Sequence, residues 1–134
     1  MARTTTTRKE KTSSTVPDKT ILINCMTPCS YCDALAPCVD KAFKAAMKER
    51  GYAVAYNKDN AKCGSYYKTY GKLAGITSAT PQVYCVAAQD RVSGVTVRPY
   101  KYVGDYKIPG TKKWDSEMLV AVCAQLIDMA ENPA

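Results

Sequence analysis

Hydrophobic and polar positions alternate along the chain in blocks of two different periods. "ILINCM" (21–26) is a short apolar run between Lys19-Thr20 and Thr27-Pro28, the pattern of a buried strand. Leu35, Val39, Phe43 and Met47 then recur every fourth residue, which predicts one helix over about residues 29–50 with a single apolar face. Gly51 follows as its C-cap. "YAVAYN" (52–57) sets Tyr52, Val54 and Tyr56 against alanines and predicts a second strand. Asp59 can cap a second helix running to about Ala74, striped by Tyr66, Tyr70 and Leu73, although Gly64 and Gly71 weaken its propensity. "TPQVYCVAA" reads as a third strand, "QDRVSG" as a turn and "VTVRPYKYVG" as a fourth strand. A last helix starts near Asp115 or Ser116, with Met118, Leu119, Val122, Cys123 and Leu126 inward.

The order β-α-β-α-β-β-α predicts an α/β domain over residues 20–134. Strands joined through a helix are expected to run parallel with right-handed crossovers, and the last two strands to form an antiparallel hairpin. The expected result is a four-stranded mixed sheet with helices on both faces. Residues 1–19 break the pattern. Val16 is their only large aliphatic side chain, and five basic residues stand against two acidic ones. Such a segment buries too little surface to order itself, so it reads as a flexible basic tail. It is either a solvated leader or an arm for an anionic partner such as nucleic acid or an acidic protein surface.

Charge and composition narrow the classes. The 134 residues suit one domain, and 46% hydrophobic with 23% charged residues is a globular balance. A net charge of +7 without histidine favours anionic partners, but solubility alone also accounts for it. No apolar run approaches the ~18 residues of a membrane span, and the N-terminus lacks a signal-peptide core. A cytoplasmic setting follows as the expectation. There, stable structural disulfides are rare and a C-x-x-C pair is either catalytic or metal-binding. The ten tyrosines follow strand and helix spacing, which assigns them to core and groove rather than to nucleic-acid stacking.

The chemistry concentrates in "CMTPCSYCDALAPC", where four of the seven cysteines lie between Cys25 and Cys38. Cys29 falls where the first strand gives way to a helix. Unpaired N–H groups and the helix dipole favour a thiolate there, lowering a thiol from roughly 8.5 to about 3.5–7.5. Cys32 lies one turn inward, within reach of a mixed disulfide on Cys29. The pair suits exchange: Cys29 attacks and Cys32 resolves. The competing readings are a zinc site of Cys25, Cys29, Cys32 and Cys38, and a cluster shared between chains. Paired C-x-x-C knuckles are missing, so redox chemistry is the stronger reading and no metal is expected. Cys63, Cys85 and Cys123 read as small buried hydrophobes, as do Cys25 and Cys38, with an added redox role for the last two as the alternative.

"CSYCDALAP" resembles the thioredoxin active-site pattern, C-x-x-C followed at fixed spacing by a proline, here Pro37. "LAGITSATPQVY" is similar to the segment that leads to the family's cis-proline, here Pro81, and "KYVGDY" to its Tyr-x-Gly element at Gly104. Ser30-Tyr31 and "TPQVY" lean toward glutaredoxins. The resemblance covers about residues 20–130. It implies a thioredoxin-like fold and a thiol–disulfide oxidoreductase acting on protein or glutathione-mixed disulfides. It implies substrate contacts from Tyr31, Thr80 and Pro81, with supporting roles for Pro28, Pro37 and Gly104. It requires no cofactor beyond the Cys29–Cys32 disulfide, with a reductase or glutathione as electron donor. The departures are specific. Pro28 replaces the usual aromatic residue, and Ile23 stands where thioredoxins often carry a buried aspartate. The 76–81 loop is longer by one residue, and the glutaredoxin Gly-Gly-x-Asp element is not intact. The alternative function is a thioredoxin-like binding module in a larger assembly, a virion among them, anchored by the basic tail.

Overall fold

The computed structural model describes residues 14–98, 102–103, 106–107 and 115–133. Four strands, β1 (Thr20–Asn24), β2 (Ala53–Asn57), β3 (Gln82–Ala88) and β4 (Arg91–Arg98), form a mixed sheet in the order β2-β1-β3-β4. Two short strands, β5 (Tyr102–Val103) and β6 (Tyr106–Lys107), extend it beyond β4. The helices are α1 (Ser30–Leu35), α2 (Lys41–Glu49), α3 (residues 60–74) and α4 (Ser116–Glu131).

Strand alternation sends side chains to opposite faces, and each face has its own core. On one, Ile21, Ile23, Cys25, Val83, Cys85, Val95 and Val97 meet Leu35, Phe43, Met47, Leu119, Cys123 and Leu126 of α1, α2 and α4. On the other, Leu22, Tyr84 and Val86 pack with Tyr70 of α3. The expected α/β layout with helices on both faces is therefore present. β1 and β2 are parallel, with Ile23 opposite Tyr56, while β3 and β4 form the antiparallel hairpin.

Five expectations need correction. The single helix over 29–50 is broken at a 3-10 turn, Ala36–Cys38, and restarts as α2. Pro37 has no N–H to continue the ladder, and Asp40 caps the new helix by accepting from Phe43 N at 2.9 Å. Leu35, Phe43 and Met47 still share the core, because the break preserves their facing.

In α3, Asp59 caps the start as expected, accepting from Lys62 N. However, a π turn at Tyr67–Gly71 inserts extra backbone and rotates the last turn of the helix. Tyr70 is buried, but Leu73 is 55% exposed and Ala74 packs inward instead.

The parallel rule fails for β3, which runs antiparallel to β1 with Gln82 opposite Asn24. Asn60 at the start of α3 is tied to Thr27 just beyond β1, while Ala74 at its end meets Gly94 on β4. The helix crosses the sheet, and the segment after Gly75 brings the chain to Gln82 at the end where β1 finishes.

The fourth strand begins at Arg91, after a two-residue turn at Gln89-Asp90, and ends at Arg98. Residues 102–103 belong to β5, which folds back with Val103 opposite Val97.

Finally, packed structure starts inside the segment read as tail. Val16 is buried against Tyr70 and Tyr84. Its N–H donates to the Tyr70 hydroxyl at 2.9 Å, and its carbonyl accepts from Gln89 Nε2 at 2.9 Å. One valine suffices because Tyr70 and Gln89 supply the partners that its own segment lacks. Residues 1–13 of the tail lie outside the described residues.

Lys19 leads into β1 with φ of 63°, and its ammonium reaches Glu131 Oε2 at 2.8 Å. The Tyr52 hydroxyl donates to the same oxygen at 2.7 Å. These two donors, Lys19 first, hold the Glu131 carboxyl below its ordinary range. A depressed carboxylate stabilises the fold above its unfolded pKa and loses that contribution as pH falls through its folded value. Glu131→Gln should therefore lower the melting temperature slightly near pH 7, with the difference closing in acid. A constant difference across a pH series of melting curves would contradict this account.

Candidate active site

Cys29 is the N-cap of α1, with extended backbone, and its sulfur accepts from Cys32 N at 3.2 Å. The approach is held by a reciprocal pair, Thr27 N to Asn60 Oδ1 at 2.8 Å and Asn60 Nδ2 to Thr27 O at 2.7 Å. The Thr27–Pro28 peptide is cis, which the sequence pattern did not signal. Facing Cys29 across the cleft, Thr80 lies with its hydroxyl 3.5 Å and its carbonyl 3.9 Å from the sulfur. Thr80–Pro81 is cis, as the resemblance implies.

A buried polar network fixes the strand ends beneath. Asn24 Nδ2 donates to Gln82 Oε1 at 2.9 Å and to the Cys63 carbonyl at 3.1 Å. Asn57 Nδ2 donates to Asn24 Oδ1, and the Tyr84 hydroxyl donates to Gln82 Oε1. Buried amides bonded to one another in this way are held in one arrangement. The network thereby ties the strand leading to Cys29 to the strand leaving Pro81.

All seven cysteines are thiols, Cys29 half-buried and the other six buried. Cys32 is only 1% exposed. Its acidity corrects the sequence expectation, which put the lowered pKa on Cys29. The Cys32 thiol is pulled down to about 6, by the hydrogen bond from Cys25 first, and by Cys29, Met26 N–H and Thr80 in addition, against its burial. Cys29 is pushed up by its own desolvation and by donating toward Cys32, although Thr80 and the Cys32 amide oppose this. The two thiols therefore share one negative charge, carried on the inner sulfur, while the outer one faces solvent. Burial pushes Cys63 and Cys38 up to about 11, which makes them poor nucleophiles.

Of the residues singled out from sequence, Cys29, Cys32, Thr80 and Pro81 come together. Tyr31 lies half-buried on α1 between the cysteines, Pro28 precedes them, and Pro37 sits in the 3-10 turn at the end of α1. Gly104 lies outside the described residues. Cys25, read from sequence as core with a redox role as the alternative, and Tyr56, which the sequence did not single out for the site, also bear on its charge. Cys25 lowers the Cys32 pKa, and burial, then Cys25 and Cys32, raise that of Tyr56. Their signal was the strand alternation: Ile23 and Cys25 share a face, and Tyr56 stands opposite Ile23.

Among the described residues, no group of three or more Cys, Asp or Glu side chains is placed to hold a metal ion. Among the same residues, no helix is long and apolar enough to cross a membrane. No family model, no curated protein and no solved structure matches the chain.

Proposed function

We propose that the chain is a thioredoxin-like thiol–disulfide oxidoreductase acting on protein or glutathione-mixed disulfides in the cytoplasm. The observation that carries this reading is Cys29 itself: half-exposed, capping α1, bonded to the Cys32 amide and faced by Thr80. The element order and the mixed sheet are compatible with a thioredoxin-like layout. As the Cys29 sulfur attacks a substrate disulfide, its proton passes to the Cys32 thiolate. A Cys29–substrate disulfide forms, and the substrate's other sulfur leaves as a thiolate. Cys32 gives that proton up to the departed substrate thiolate, and its own thiolate attacks the Cys29 sulfur. The internal disulfide closes as the bond from Cys29 to the substrate breaks and the second substrate sulfur leaves as a thiolate. An external dithiol or glutathione must reduce the pair again. An extended substrate strand would run beside Thr80.

Insulin reduction with dithiothreitol as donor tests the reading. A well-folded protein that does not accelerate it leaves the binding-module alternative, with the basic tail as anchor.

The shared charge predicts a pH profile. Iodoacetamide should label Cys29 first, with a rate that falls as pH drops through about 6, where Cys32 takes up its proton. Cys32→Ser should move that fall to higher pH. Preferential labelling of Cys38 or Cys63, mapped by mass spectrometry, would overturn the assignment of Cys29.

A further inference from the structure

β2 is an outer strand of the sheet. β1 pairs with one side of it, and no strand among the described residues pairs with the other. The hydrogen bonds to β1 fix which of its residues face outward. Ala53 N donates to Lys19 O at 3.0 Å, and Asn57 O accepts from Cys25 N at 2.9 Å. Successive residues of a strand turn their N–H and C=O to opposite sides, so Val54 and Tyr56 aim theirs away from β1. Beside this edge lies a cavity of about 500 Å³, lined by Lys44, Lys48, Gly51, Tyr52, Ala53 and Val54. We propose that the β2 edge and the lysine side of α2 form a docking groove for an acidic, extended segment of a partner protein, which adds a strand next to β2.

Charge and spacing select that partner. Phe43 and Met47 of α2 are fully buried, which pins the helix against the sheet, and Lys44 and Lys48 beside them line the cavity. The two lysines stand one helical turn apart, about 6 Å along the axis at the α-helical rise. Alternate side chains on one face of a strand are ~6.6 Å apart. Carboxylates at alternate positions of a strand therefore match the two ammonium groups. Glu49, the one acid of α2, does not line the cavity. Glu131 is held by Lys19 at 2.8 Å and by the Tyr52 hydroxyl at 2.7 Å, so it does not compete for these lysines. A second copy of the chain is a poor occupant. Pairing two β2 edges antiparallel keeps both α2 helices on one face and sets lysine against lysine. Residues 1–13 carry Arg3, Arg8, Lys9 and Lys11 against Glu10, the same sign as the groove.

An open edge usually carries its own guard: a lysine, a proline or a bulge on the strand itself. β2 reads AVAYN, without charge or proline, and its register with β1 runs unbroken from Ala53 to Asn57. Ala53 and Tyr56 are exposed, and Val54 and Ala55 half-buried. The lysines sit on α2 instead, where they attract an acidic strand and leave the backbone of β2 accessible. Nucleic acid would use the lysines alone, because it has no row of N–H and C=O groups for Val54 and Tyr56 to pair with. The groove is separate from the candidate redox centre. It lies where β1 and β2 begin, whereas Cys29 follows the end of β1 and Thr80 leads into β3 on the far side of β1. Docking there needs no exchange chemistry.

The test is fluorescence anisotropy on the full-length reduced protein at low salt, with a fluorescein-labelled peptide of alternating glutamate and valine as the probe. The wild type should bind it, and Cys29→Ser should bind it equally well. Lys44→Glu combined with Lys48→Glu should weaken binding by at least roughly tenfold. Val54→Pro removes an outward N–H that β1 does not use, so the ladder to β1 survives while strand pairing is blocked, and binding should fall to a similar degree. The lysine variant changes only exposed side chains, so it stays informative if Val54→Pro fails to fold. In hydrogen exchange followed by NMR, the Val54 and Tyr56 amides should exchange fast in the free protein and slowly with peptide bound. No binding by the wild type, or undiminished binding by the lysine variant or by a folded Val54→Pro, would overturn the groove. Equal binding of the same peptide N-methylated throughout, or of a single-stranded oligothymidylate, would reduce it to a site for any anion and overturn strand addition. Protection of the Val54 and Tyr56 amides in the free protein would also overturn it. Analytical ultracentrifugation would then assign the edge to a second copy in a dimer, or to the chain's own residues in a monomer.

Discussion

Replacing Cys29 by serine should reduce insulin-reducing activity to background, a loss of at least roughly a hundredfold, while the fold stays intact. Serine is itself a favourable N-cap, so its hydroxyl can accept the Cys32 N–H that now reaches the sulfur at 3.2 Å. What is lost is the nucleophile, since a hydroxyl does not exchange with disulfides. Removal of a covalent nucleophile commonly costs far more than any neighbouring contact. Cys32→Ser should behave differently. Attack by Cys29 remains, resolution does not, and mixed disulfides with substrates should accumulate. Bands on non-reducing gels that disappear with dithiothreitol would report them. If Cys29→Ser retains activity, or if Cys32→Ser traps nothing, the division of labour between the two sulfurs is wrong.

Gly94→Ala should destabilise the domain by about 1–3 kcal/mol, through overpacking rather than backbone strain. A β-carbon at this position would stand 2.8 Å from Tyr84 Cδ1 and 2.9 Å from Ala74 Cβ. Neither neighbour can yield cheaply. Tyr84 is fully buried, with its hydroxyl held by Gln82 at 2.7 Å, and Ala74 belongs to the last turn of α3. The opposing gain, fewer conformations open to the unfolded chain, is only about 0.4–1 kcal/mol. Overlap therefore wins, and the melting temperature should fall by several degrees. Equal or higher stability in denaturant titration would mean that α3 can lift from the sheet. In that case insulin reduction should be followed in the same variant, because Asn60 at the other end of α3 braces Thr27 two residues before Cys29.

The candidate site was partly legible in the sequence. The strand-to-helix junction and the C-x-x-C spacing placed Cys29 at the cap and Cys32 one turn behind it, since both follow from short-range periodicity. The pairing with Thr80 came through resemblance, because 51 residues separate it from Cys29. The distribution of charge between the two thiols was not legible. The helix terminus acts on Cys29, as expected, but Cys32 has more donors around it. Those donors include Cys25, read as core with a redox role as the alternative, and Met26 N–H, which belongs to the turn after β1. A donor count of this kind depends on which side chains converge, and spacing along one strand does not report that.

Local patterning alone determined the strand β1, the Asp59 cap, the left-handed Gly51 just past the Arg50 C-cap, with its φ of 84°, and the inner face of α4. Each depends on neighbours within a turn or two of the chain, where periodicity and capping chemistry act directly. Tertiary structure decided the rest. Val16 is ordered by Tyr70 and Gln89, residues far along the chain. Leu73 turns outward because a π turn lets Tyr70 stack toward Tyr66 and meet Tyr84. β3 enters the sheet antiparallel to β1 because α3 crosses to Gly94 before the chain returns. Cys25 and Cys32 share one buried cluster only once α1 closes over the end of β1. Contacts between distant segments are selected by which packing buries the most surface with its polar groups satisfied. That is a property of the assembled fold and not of any single stretch of sequence.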